Sequence, residues 1–185
     1  MNFKITANQP LSTLVRNNNL LSWKDIVSHI QNLPYGRNTN RYDLSLVIKE
    51  QKGSCSSKHA FLAELARENN IQNISLILGI YKMNSENTNI GKTLENSGLH
   101  YIPEAHCYLK INQQRHDITT TNASFEKLKD VILTEKTIQP KQVSEFKVNY
   151  HKQFIKDWII KENIPVSFEE VWKFREQCIA FLSKN

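Results

Sequence analysis

The stretch KGSCSSKHAFLAELARENN, Lys52 to Asn70, places a cysteine where a helix should begin. Its spacing predicts a helix that opens near Ser54 or Cys55, closes at Asn69-Asn70, and buries Phe61, Leu62, Leu65 and Ala66 along one stripe. Cys55 then has two readings. It is a small core residue that falls at a helix start, or it is a thiolate held where about half a positive charge and free N–H groups favour ionised sulfur. Gly53 suits the second reading, because a residue without a side chain lets the chain approach the site closely.

The sequence downstream supplies partners for the thiol. The apolar run from Ile74 to Tyr81 reads as a buried strand. Residues 84–100 are polar and long enough to suggest a lid. The segment EAHCYLKINQQRHDITTTN then reads as a hairpin in which Ala105, Cys107, Leu109 and Ile111 alternate with His106, Tyr108 and Lys110. If Asn112-Gln113 is a two-residue turn, Tyr108 faces Asp117, and His106 and Asp117 become diagonal neighbours about 7 Å apart at the backbone. His116 then points the other way, and a three-residue turn would reverse the faces. His59, one helical turn after Cys55, either supports the site or packs beneath it.

Further out, Ser22 caps a helix through WKDIVSHIQN that Pro34 stops, and PYGRNTNR forms a loop. Ser124 is expected to cap a helix through FEKLKDVILTEK. A strand near SEFKVN and a helix through KQFIKDWIIKEN should follow. Pro165 breaks that helix, and Ser167 with Glu170 forms a capping box for the last one. The class is α+β: a helix carrying the cysteine, packed on a small antiparallel sheet, with further helices at both ends.

With 185 residues, 39% of them hydrophobic, the chain suits one domain spanning 1–185. The first residues lack a signal-peptide pattern and no apolar run could cross a bilayer, so the expectation is a cytoplasmic protein without a membrane partner. Three widely spaced cysteines give neither a disulfide framework nor a zinc pair. The charge of +6 comes from 18 Lys and 6 Arg scattered along the chain, which argues against a nucleic-acid partner.

Cysteine catalysis requires an acidified thiol, a base and a group that orients the base. Gly53-Ser54-Cys55 with the helix after it, His106 in EAHCYLKI and Asp117 in RHDITT supply these in one order. In type, order and approximate spacing they resemble the transglutaminase-like branch of the papain-like cysteine fold, which includes transglutaminases, bacterial cysteine proteases and peptide N-glycanases. The resemblance covers about residues 35–122 and leaves a helical part, about 123–185, unexplained. It implies a Cys55-His106-Asp117 triad acting on a peptide or protein amide through a thioester, as a hydrolase or an acyl transferase, with no metal and no organic cofactor. It also implies an oxyanion donor upstream of the cysteine, for which Asn38, Tyr35 and Trp23 are candidates. Where eukaryotic transglutaminases carry a tryptophan soon after the cysteine, this chain has Ser56-Ser57. The rival expectation is a catalytically silent module that grips a peptide or protein through an exposed Tyr101 and the 84–100 loop.

Overall fold

The computed structural model describes residues 2–95 and 97–183. Its architecture is α+β. Four short N-terminal helices precede the sheet: α1 (Pro10–Asn17), α2 (Trp23–Asn32), α3 (Leu46–Lys49) and α4 (Cys55–Glu68). The antiparallel sheet has the order β3-β2-β1-β4, with β1 at Ile74–Met83, β2 at Ile102–Ile111, β3 at Gln114–His116 and β4 at Ile132–Ile138. Two long helices close the chain, α5 (Glu145–Lys161) and α6 (Phe168–Leu182). No helix among the described residues is long and apolar enough to cross a membrane.

Helix α4 starts at Cys55 because Ser54 and Ser57 cap each other: the Ser54 side chain accepts from the Ser57 N–H, and the Ser57 side chain accepts from the Ser54 N–H. The helix is enclosed on most sides, and the expected stripe of Phe61, Leu62, Leu65 and Ala66 joins a core with Leu76, Leu78, Ala105, Cys107 and Leu109. Gly53 is required sterically. A Cβ there would lie 2.8 Å from Lys58 Cγ and 3.0 Å from Ser57 Oγ.

The hairpin register is the one a two-residue turn dictates. Leu109 pairs with His116, Lys110 with Arg115, and Ile111 with Gln114. Asn112 and Gln113 both take positive φ, 48° and 69°, which matches the right-handed twist of the strands they join.

Three expectations change. Ser124 caps only a single 3₁₀ turn, Phe125–Lys127, and the chain from Ile132 becomes β4, because the β-branched Ile132, Thr134, Thr137 and Ile138 suit pairing with β1 from Leu76–Ile138 to Tyr81–Ile132. The SEFKVN segment belongs to α5 and is not a strand. Its Lys147 opens a buried series with His151, Ile155 and Trp158 at helical spacing, and that period decides over local β propensity. Residues 84–100 are not a free polar lid: Ile90, Leu94 and Leu99 are buried in a second apolar cluster with Ile155, Trp158 and Val171. Tyr101 is half-buried there, accepting from the Trp158 indole N–H at 2.9 Å.

Candidate active site

Cys55, His106 and Asp117 meet where the start of α4, the middle of β2 and the chain leaving β3 converge. The His106 Nε2–H donates to Asp117 Oδ2 at 2.8 Å, which leaves Nδ1 as the ring nitrogen for the thiol. The second Asp117 oxygen accepts from the Thr119 N–H (3.0 Å) and hydroxyl (2.5 Å). With both oxygens engaged, the carboxylate has one orientation. Pairing of β2 with β3 stops at Leu109–His116, so Asp117 lies just past the ladder, free to turn toward His106. The rings of Tyr81 and Tyr108 flank the imidazole, each with its centroid 6.0 Å away.

The electrostatics separate charge across this group. Burial opposes ionisation of Cys55, but the Lys147 ammonium, the His106 imidazolium and hydrogen bonds from His106 and the Cys107 N–H bring the thiol from 9.0 down to about 6. Burial likewise works against a charged His106. The carboxylate of Asp117 and the Cys55 sulfur overcome it, and its pKa stands well above 6.5. Asp117 is held far below the usual carboxylate range against its own burial, chiefly by the His106 charge and hydrogen bond. At neutral pH the arrangement favours a thiolate, an imidazolium and a carboxylate in series. The other two thiols differ: burial raises Cys107, and it raises Cys178 to about 11.

His59 is a buried clamp. Its Nδ1–H donates to the Cys55 carbonyl at 2.7 Å, and its Nε2 accepts from the Ile118 N–H at 2.8 Å. Burial keeps it neutral, with a pKa of about 4. Both ring nitrogens are used by backbone, so His59 ties the cysteine helix to the residue after Asp117 and has no nitrogen left to act as a base. Lys58 makes a second tie of this kind: its Nζ, wholly buried, donates to the carbonyls of Leu33 (2.5 Å) and Thr119 (2.6 Å).

Cys55 lines a cavity of about 290 Å³. Tyr35 and Asn38 line it too, whereas Trp23 does not. Trp23 is buried against Phe3, with ring centroids 5.2 Å apart, and borders a different cavity on the Asp117 side. The Asn38 amide nitrogen is committed to Leu46 O, Glu50 Oε2 and Lys52 O at 3.0–3.3 Å, so it staples the loop before Cys55. A backbone bridge between Tyr35 and Gly53 brings the Tyr35 ring to the cavity. Burial, together with the nearby Cys55 and Glu104 charges, keeps its phenol protonated and able to donate.

The C-terminal helices form the far wall. Lys147, His151 and Lys152 of α5 and Trp172, Arg175 and Glu176 of α6 border the same cavity as Cys55. Lys147 Nζ donates to Ser56 Oγ at 2.6 Å, and that oxygen lies 3.8 Å from Cys55 Sγ. Arg175 forks onto Glu104 at 2.7 and 2.6 Å, locking α6 to β2. These residues are not singled out by local sequence: their signal is the spacing of Lys147, His151 and Lys152 along one side of a helix, which a strand at SEFKVN would conceal. Among the described residues, no group of three or more His, Cys, Asp or Glu is placed to hold a metal.

No protein-family model, no curated protein and no solved structure matches this chain. The functional reading therefore rests on the geometry.

Proposed function

We propose that this protein is a cysteine-dependent amide hydrolase with a transglutaminase-like, papain-type core. Cys55 is the nucleophile, His106 the acid and base, and Asp117 the orienting group. The observation that carries the reading is His106 fixed by Asp117 at 2.8 Å beside an acidified thiol that opens on a cavity. The thiolate attacks an amide carbonyl, forming the S–C bond. The C–N bond then breaks as the His106 imidazolium gives its proton to the departing amine. Water, deprotonated by His106, attacks the thioester, and the acid leaves as the thiolate returns. The Tyr35 hydroxyl and the Cys55 N–H at the helix start are the proposed oxyanion donors.

Transfer to an amine instead of water uses the same first half, and the acceptor is what distinguishes the two. The rival reading as a silent binding module draws less support from this region, since Tyr101 is half-buried and Ile90, Leu94 and Leu99 of the 84–100 segment pack into an apolar cluster. The test compares wild type with Cys55→Ala on a panel of fluorogenic acyl amides and peptides, with mass spectrometry for the acyl-thioester on Cys55. Loss of turnover and of the acyl adduct in a variant of unchanged melting temperature is the expected result. A Cys55→Ala variant as active as wild type would sink the proposal.

A further inference from the structure

We infer that the Cys55 cavity selects acyl groups bearing a carboxylate close to the reacting carbonyl, a specificity that rests on Cys55 being the reactive residue of the site. Five Lys or Arg side chains and two Glu line the cavity, a formal excess of three positive charges. Four of these groups satisfy one another: Arg175 forks onto Glu104, and Arg37 meets Glu176 at 2.9 Å. The excess therefore resides in Arg41, Lys147 and Lys152.

Among the described residues, none of these three lies within salt-bridge distance of a carboxylate. Lys147 donates to the neutral Ser56 hydroxyl, Lys152 sits 5.2 Å above the Trp172 ring, and Arg41 is exposed at the rim. The Cys55 thiolate and the His106 imidazolium cancel each other, and the Asp117 carboxylate lies outside the cavity lining with the buried Lys58 ammonium close by. Three cations beside one concave, partly desolvated space focus a positive potential there, which raises the local concentration of anions. Lys147 also fixes where the anion sits. Its link to Ser56 is one residue from the nucleophile, so a ligand charge held at Lys147 lies only a few atoms from a carbonyl at Sγ, while Lys152 and Arg41 add to the field at the cavity rim.

The probes are iodoacetate and iodoacetamide, which differ by one negative charge. In each case the thiolate displaces iodide as the S–C bond forms, and the modified peptide identifies the cysteine. The rate ratio of iodoacetate to iodoacetamide at Cys55 should exceed that of the urea-unfolded chain by roughly tenfold at low ionic strength. It should fall toward the unfolded value in 0.5 M salt, and in the double variant Arg41→Gln, Lys152→Gln. A native ratio equal to the unfolded one, or a ratio unmoved by both salt and the variant, overturns the inference. Protection of Cys55 by inorganic phosphate at lower concentration than by glutarate overturns the choice of a carboxylate in favour of a phosphorylated group. Failure of either reagent to reach Cys55 overturns both this inference and the catalytic reading. An anion preference without amide turnover overturns only the catalytic one.

Discussion

Lys147→Met removes an ammonium that reaches Cys55 from 92 residues further along the chain. The contacts from Nζ to Ser56 Oγ and on to Sγ, taken in series, place that charge within about 6.4 Å of the sulfur, where an effective dielectric of about 20 gives about 2.6 kcal/mol of attraction for a thiolate. The cavity opens to solvent, and screening leaves about half of this, about 1.3 kcal/mol. That energy corresponds to about one pH unit, so the midpoint of thiolate formation should move from about 6 to about 7. Burial is the largest influence on Cys55 and opposes ionisation, with Lys147 the first of the groups that overcome it. The assay is iodoacetamide alkylation as a function of pH, followed on the Cys55 peptide, with circular dichroism to verify the fold. Cys107 and Cys178, both pushed upward, should stay silent below roughly pH 8. Lys147→Arg should keep the wild-type midpoint. A Lys147→Met midpoint within about 0.3 pH units of wild type would refute the role assigned to the ammonium. A wild-type midpoint near 9.0 would refute the poised thiol altogether.

Asp117→Asn keeps the shape of the orienting group but removes the charge that stabilises the His106 imidazolium. Turnover should drop by about 10³ to 10⁴-fold, and a loss smaller than tenfold would contradict the triad. His59→Ala deletes links to the Cys55 carbonyl and the Ile118 N–H in a fully buried place, which should cost about 2–4 kcal/mol in urea denaturation. An unchanged unfolding curve would mean the clamp is idle. The carboxyl of Glu104 is buried, and Arg175 outweighs that burial to lower it from 4.5 to about 2. Its contribution to stability is therefore complete above pH 4.5 and is lost as the pH falls through 2. Glu104→Gln should lower stability at pH 7 by about 3 kcal/mol and flatten the acid side of the melting profile. Parallel profiles for variant and wild type between pH 4.5 and 2 would contradict the assignment.

Local chemistry made part of the site legible. The Ser54 cap and the apolar spacing after it place Cys55 at a helix start, because capping and periodicity act over only a few residues. Asn112-Gln113 sets the hairpin register, and the register puts Asp117 diagonal to His106, because strand geometry has a period of two and a turn of fixed length carries no slack. The same local rules failed in the last third of the chain. VILTEK follows a Ser124 helix cap, but its β-branched Val131, Ile132 and Thr134 suit a strand, and from Ile132 on it joins the sheet, where the edge of β1 was available for pairing. SEFKVN alternates Phe146 and Val148 with polar residues like a strand, yet winds into α5, since only a helix buries Lys147, His151, Ile155 and Trp158 together.

The sequence by itself determined the α+β class, the helix start at Cys55 and the order of cysteine, histidine and aspartate, all of which depend on neighbours close along the chain. Tertiary structure decided what surrounds them. Trp23 is set apart in the core, the Asn38 amide nitrogen is committed to two backbone carbonyls and the Glu50 carboxylate, Tyr35 is left facing the cavity, and His59 is a neutral clamp whose nitrogens are both taken by backbone. Tertiary structure also brings α5 and α6 over Cys55. Basic residues that look evenly scattered in the sequence thereby gather around one cavity, because the sign of the potential at a site depends on distance in space and not on separation along the chain.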